Sequence, residues 1–164
     1  MIHFIILINR QGKLRLSKWY EPYSQKQRAQ FVRDISHTVL PRTSKMCNVV
    51  ELDEHKLVYK RYASLFFVAS VSRDDNELLA IEMLHMYVEA LDQYFGSVCE
   101  LDLIFNMDIA HYVLDEVIVA GQLLEPNRRL VKEAVRAADI LADPTKAPGG
   151  TRDVGSSAGS NPIR

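Results

Sequence analysis

Five consecutive apolar residues, Phe4-Ile5-Ile6-Leu7-Ile8, give way at once to Asn9-Arg10-Gln11-Gly12-Lys13. So short an uninterrupted run predicts a buried strand, and the alternation over residues 14–20 predicts its hairpin partner, with Leu14 and Leu16 facing one way and Arg15 and Ser17 the other. Ser24 and Gln27 have the spacing of a capping box, after which Phe31, Val32, Ile35 and Val39 recur at helical intervals until Pro41 ends the pattern. Three short runs follow, 49–52, 57–59 and 65–69, rich in β-branched and aromatic residues and separated by charged or small ones, which predicts a meander and completes a set of five strands. Asp74 and Glu77 then suit the start of a long helix closed by Gly96. Leu78, Ile81, His85, Val88 and Leu91 form one stripe on it and Leu79, Met83, Tyr87 and Ala90 another, so the helix is expected between two layers. Helical periodicity returns over 109–120, ending at Gly121, and over 127–141. From residue 143 Pro, Gly and Ser dominate without periodicity. This predicts a domain over 1–142 and a disordered tail over 143–164. The order is ββ-α-βββ-α-α-α, an α+β fold with an antiparallel sheet flanked by helices.

Composition narrows the functional classes. With 164 residues, 48% hydrophobic and 25% charged, the chain has the balance of one globular core. A formal net charge of −1 supplies no long-range field toward nucleic acid or an anionic membrane, so any charge-based function has to be local. Cys47 and Cys99 show neither zinc spacing nor a secreted disulfide framework, which points to a reducing compartment. The opening apolar run is too short for a signal-peptide core or a spanning helix, so a cytosolic chain that reaches membranes only through partners is expected.

The strings GxGxxG, GxxxxGK, HExxH and GxSxG are absent, and His3, His37, His55, His85 and His111 have no spacing that puts two on one helical face as metal ligands. The expectation is a protein without enzymatic activity, cofactor or metal. A Cys-His pair assembled by the fold stays open, with nothing in the sequence to favour it. A more informative group is basic: Arg10, Lys13, Arg15 and Lys18 on the first hairpin, with Lys60 and Arg61 before the last strand. These are either charges guarding strand edges or an anion clasp beside an apolar groove.

Four strings decide more than any of these patterns: Arg10-Gln11-Gly12-Lys13-Leu14-Arg15-Leu16 with Lys18-Trp19-Tyr20, Val58-Tyr59-Lys60-Arg61-Tyr62-Ala63-Ser64-Leu65, Asp75-Asn76-Glu77-Leu78, and the stretch from Tyr94-Phe95-Gly96-Ser97 to Phe105-Asn106. In these the chain resembles the small (sigma) subunits of clathrin adaptor complexes, from its first residue to about residue 141. More remotely it resembles the zeta subunit of coatomer. The resemblance implies a longin-like domain and a heterotetramer with large and medium subunits. It further implies recognition of acidic dileucine signals, [DE]xxxL[LI], on cargo tails, with clathrin and membrane engaged through the complex. Matching positions imply apolar slots at Ala63, Leu65, Val88, Val98, Leu101 and Leu103, with Arg15 for the acidic residue. Ser97 stands where endocytic sigma subunits carry Asn. Together with Lys45-Met46-Cys47 it favours the Golgi and endosomal type, peripheral on trans-Golgi and coated-vesicle membranes, over the endocytic type or a purely structural coat subunit.

Overall fold

The computed structural model describes residues 1–52, 54–124, 127–143 and 145. The predicted tail therefore lies, apart from Asp143 and Thr145, outside the described residues. Five strands, β1 (Ile2–Asn9), β2 (Leu14–Trp19), β3 (Val49–Leu52), β4 (His55–Tyr62) and β5 (Leu65–Ser72), form one antiparallel sheet in the order β2-β1-β5-β4-β3. The two longest apolar runs, β1 and β5, take the central positions because only there are both faces covered.

Each face has its own core. Phe4, Ile6 and Ile8 of β1 join Leu57, Tyr59, Phe66 and Val68 under α1 (Gln25–Val39), which is started by the predicted capping box of Ser24 and Gln27 and buries Ile35 and Val39. The opposite face, with Ile5, Leu7, Val58, Leu65, Phe67 and Ala69, packs beneath α2 (Glu77–Phe95). Outside α2 lie α4 (Met107–Val117) and α5 (Arg128–Ala142), so α2 has the two-sided environment its stripes predicted. The hydroxyl of fully buried Tyr87 donates to the Ala110 carbonyl, 3.0 Å away, and fixes α2 against α4.

Several local expectations are corrected. Asn76, not Asp74, caps α2, its side chain accepting from the Leu78 amide at 3.0 Å, and Leu78 and Leu79 in the first turn are exposed. A six-residue helix, α3 (Glu100–Phe105), precedes α4, and α4 stops at Val117. The segment read as the end of that helix is a small hairpin, β6 (Ile118–Val119) and β7 (Gln122–Leu123). Ala120 and Gly121 both have positive φ, 50° and 75°, as a two-residue hairpin turn demands. Gly121 also lies against β1: it accepts from the Ile2 amide at 3.0 Å, and a Cβ there would come within 2.2 Å of the Ile2 carbonyl oxygen. Finally, Leu7 pairs with Leu16 but Ile8 with Leu14, so Arg15 is the extra residue of a β-bulge. A bulge resets which face each residue takes. Leu16 enters the core under α2, whereas Leu14 lines a cavity with Arg28 and Val32 of α1, so the two do not share a face.

Candidate functional site

The bulge gives Arg15 its role. Its Nε and Nη2 donate to Oε1 of Glu100, at 2.7 and 2.5 Å, and the Asn9 side-chain amide donates to the same oxygen at 3.0 Å. These hydrogen bonds to the ionised form, from Asn9 first and then Arg15, hold the Glu100 carboxyl below the ordinary glutamate range. Asn9, itself buried, shapes the hairpin as well, because its Oδ1 accepts from the amides of Gln11 and Lys13 at 2.9 Å. The clasp is half-buried, with about a sixth of Arg15 and a quarter of Glu100 exposed, and neither Arg15 Nη1 nor Glu100 Oε2 carries a hydrogen bond among the described residues.

A titration follows. Because the folded-state pKa of Glu100 is depressed, the clasp contributes fully above the unfolded glutamate value and is lost as pH falls through the lower folded value. A carboxyl-carbon NMR titration should place Glu100 below ordinary glutamates, and Arg15→Gln should move it upward. A midpoint unaffected by that substitution would remove Arg15 from the account.

Around this clasp the structure brings most of the expected apolar residues together. Leu65, Val88, Val98 and Leu103 belong to the one core cluster under α2, and each is at most 3% exposed. They are therefore closed to solvent rather than arranged as open slots. The remaining two stay outside, Ala63 in the β4–β5 turn and Leu101 on the outer side of α3, and Ser97 after α2 is exposed as well. Ala63 and Ser97 also share a positive φ, 51° and 78°, a conformation that costs an L-residue about 1–2 kcal/mol.

Asp92, which sequence reasoning did not single out, ties the rim to the core. Its Oδ1 accepts from the Tyr62 hydroxyl at 2.9 Å and the Val98 amide at 3.0 Å, linking the end of β4, the last turns of α2 and the loop into α3. Its carbonyl accepts from the amide of Gly96, the left-handed residue that closes α2. Glu100 was also missed, since its partner Arg15 lies 85 positions away.

A separate feature continues from this corner: Leu101, Ile104 and Phe105 of α3 and Met107 and Tyr112 of α4 are all exposed. Grouped exposed apolar side chains mark an interaction surface. Among the described residues no group of three or more His, Cys, Asp or Glu could hold a metal, and no helix is long and apolar enough to cross a membrane.

Comparison with known proteins agrees with this architecture. Residues 1–142 match the family described as clathrin adaptor complex small chain. The chain is 52% identical to AP-1 complex subunit sigma-2 of Arabidopsis thaliana, over 89% of this chain and 90% of that protein. It is 47% identical to AP-1 complex subunit sigma-1A of Homo sapiens, over 90% and 94%. Among structures, a chain in a homology model of the full-length AP-3 complex in a stretched open conformation superposes with a TM-score of 0.71 at 27% identity, covering 88% of this chain and 97% of that one.

Proposed function

The chain belongs to the clathrin adaptor complex small chain family, and from that premise we propose that it is the small subunit of a heterotetrameric AP-1-type clathrin adaptor that reads acidic dileucine signals at the trans-Golgi network and endosomes. It binds no nucleic acid and performs no catalysis: its work is to hold a peptide and partner chains. Clathrin and membrane are engaged through the assembled complex.

The observation that carries the cargo reading is the juxtaposition of a cation having a free donor, Arg15, with the cluster of Leu65, Val88, Val98 and Leu103. An extended acidic dileucine peptide needs a cation upstream and apolar cover for two leucines. Because the cluster is closed, the leucines enter only if its rim gives way, and the rim is where strained Ala63 and Ser97 sit. The acidic residue meets Arg15 already held by Glu100, so it either uses the free donor or displaces the clasp. Each buried leucine contributes about 1.5–3 kcal/mol and the exposed part of the ion pair about 1 kcal/mol or less. Ordering the tail and opening the rim offset much of this, and affinity in the micromolar range is expected.

Calorimetry of an acidic dileucine peptide on the reconstituted heterotetramer tests this reading. Ala63→Asp is the appropriate variant, because Ala63 is exposed and aspartate tolerates positive φ better than most residues. It should weaken binding at least about tenfold with the complex intact, through repulsion of the acidic peptide and a polar group at the rim. Full affinity in Ala63→Asp, or no binding by the wild-type complex, would leave a purely structural coat subunit.

A further inference from the structure

On the face of the sheet opposite the α2 core, the connection from α1 to β3 and the β4–β5 hairpin enclose a cavity of about 230 Å³. Its lining brings together three cations, Arg42, Lys60 and Arg61, and contains no carboxylate. Four cations elsewhere are matched by carboxylates, Arg15 by Glu100, Lys18 by Asp115, Lys56 by Glu77 and Arg129 by Glu133, while others, Lys13, Lys26 and Lys45 among them, are exposed without an ion pair among the described residues. Arg42, Lys60 and Arg61 form no ion pair among the described residues. What sets Arg42, Lys60 and Arg61 apart is that all three line one cavity without a carboxylate, in a chain whose net charge is −1.

The two guanidinium groups are also held in place. Arg42 Nε donates to the Tyr59 hydroxyl at 3.1 Å and Nη2 to the Cys47 carbonyl at 2.9 Å, with the group 5.9 Å from the Tyr59 ring centre. Arg61 lies 5.7 Å from the centre of the Phe66 ring, and its guanidinium donates no hydrogen bond among the described residues. Aromatic support fixes the Arg61 guanidinium without consuming its donors and keeps its fork free for an oxyanion, whereas Arg42, with Nε and Nη2 engaged, offers Nη1. The hydroxyls of Thr43 and Ser44 and the amide of Asn48 add neutral donors to the wall.

We propose that this cavity binds a phosphomonoester, a doubly charged group with three terminal oxygens. A carboxylate brings one charge to three cations and leaves most of them unmatched. A phosphomonoester brings nearly two and has oxygens enough to accept from the Arg61 fork and from Arg42 Nη1 at once. The volume takes a phosphate with the first atoms of its ester. The group is either carried on a lipid headgroup or free in solution, and the site lies apart from Arg15 and the core cluster beneath α2.

The test uses the reconstituted complex containing the full chain with arginine side chains labelled with nitrogen-15. Inorganic phosphate should shift the Nε–Hε signals of Arg42 and Arg61 saturably. The double variant Lys60→Gln/Arg61→Gln should weaken that binding at least about tenfold, since it removes two of three charges. Arg42→Lys, which keeps charge and loses the anchored guanidinium with its Nη1 donor, should weaken it severalfold. Vesicles of phosphatidylcholine with phosphatidic acid, compared with phosphatidylserine at equal charge, separate the sources. Phosphatidic-acid pelleting that is lost in the double variant identifies a lipid ligand. Phosphate binding that fails to extend to vesicles identifies a soluble phosphate ester. No shift at Arg42 or Arg61, unchanged phosphate binding in the double variant, or equal pelleting with both lipids would overturn the proposal.

Discussion

Val88→Asp is expected to destabilise the folded chain severely. Val88 is 2% exposed in the middle of α2, within a cluster whose buried members are hydrocarbon apart from the Tyr87 hydroxyl, already committed to the Ala110 carbonyl, and the weakly polar sulfur of Met83. A carboxylate there has no partner, and burying an unpaired charge, or protonating it and burying a polar acid, costs several kcal/mol. Domains of this size are stable by about 5–15 kcal/mol in total, so the loss takes a large fraction of the whole. The thermal midpoint should fall by about 10 °C or more, at roughly 2–4 °C per kcal/mol for a domain of this length. Val88→Ala, which deletes two methyls and adds no polar group, should cost about 1–2.5 kcal/mol and remain folded. A circular-dichroism melt of both variants decides it. If Val88→Asp melts within a few degrees of the parent chain, Val88 meets water in solution and the apolar slot is open before any peptide arrives. Loss of peptide binding in this variant would therefore confound unfolding with recognition, and for that reason the binding test belongs at exposed Ala63.

The strands and the two long helices were legible because their burial is periodic. In β1 and β5 every residue but one or two is covered, and the sequence shows it as unbroken apolar runs. The β6–β7 hairpin was not legible: with two residues per strand it has no period of its own, and Ile118 and Val119 continue the apolar pattern of α4 up to a glycine that also resembles a helix cap. Only the positive φ of Ala120 separates a turn from a helix end, and a backbone angle leaves no mark on composition. The bulge at Arg15 was hidden for a related reason. Strict alternation put Leu14 and Leu16 on one face, and a single inserted residue separates them. At the candidate site, the expected slot residues Leu65, Val88, Val98 and Leu103 are core residues, so nothing local distinguishes a recognition role from packing, and only the family resemblance singled them out. Glu100 and Asp92 act through partners far away in sequence, a relation that the fold alone creates.

Phe105→Asp should abolish assembly while sparing the fold. Phe105 is 78% exposed at the end of α3, so a charge there meets water in the isolated chain and costs the domain little. The same side chain is the most exposed of the apolar group that also includes Leu101, Ile104, Met107 and Tyr112, and in a complex that covers this group it would be buried. Aromatic residues in such patches contribute about 2–4 kcal/mol to an interface when seated in a partner. Losing that much lowers affinity by roughly thirtyfold to a thousandfold. Co-purification with the large subunit should fail for Phe105→Asp and persist for Lys26→Ala, an exposed polar change on α1, with melts of the isolated chain matching in both cases. Assembly of Phe105→Asp at wild-type yield would assign the large-subunit contact to another face. On the proposed cargo reading, the position of this patch would couple assembly to peptide binding. Helix α3 is six residues long and carries Leu103 into the core while Leu101, Ile104 and Phe105 point out, with Glu100 of the Arg15 clasp at its first position. A partner that seats the outer residues of so short an element fixes the inner ones as well, so peptide affinity should be a property of the assembled complex and be weak or absent in the isolated chain.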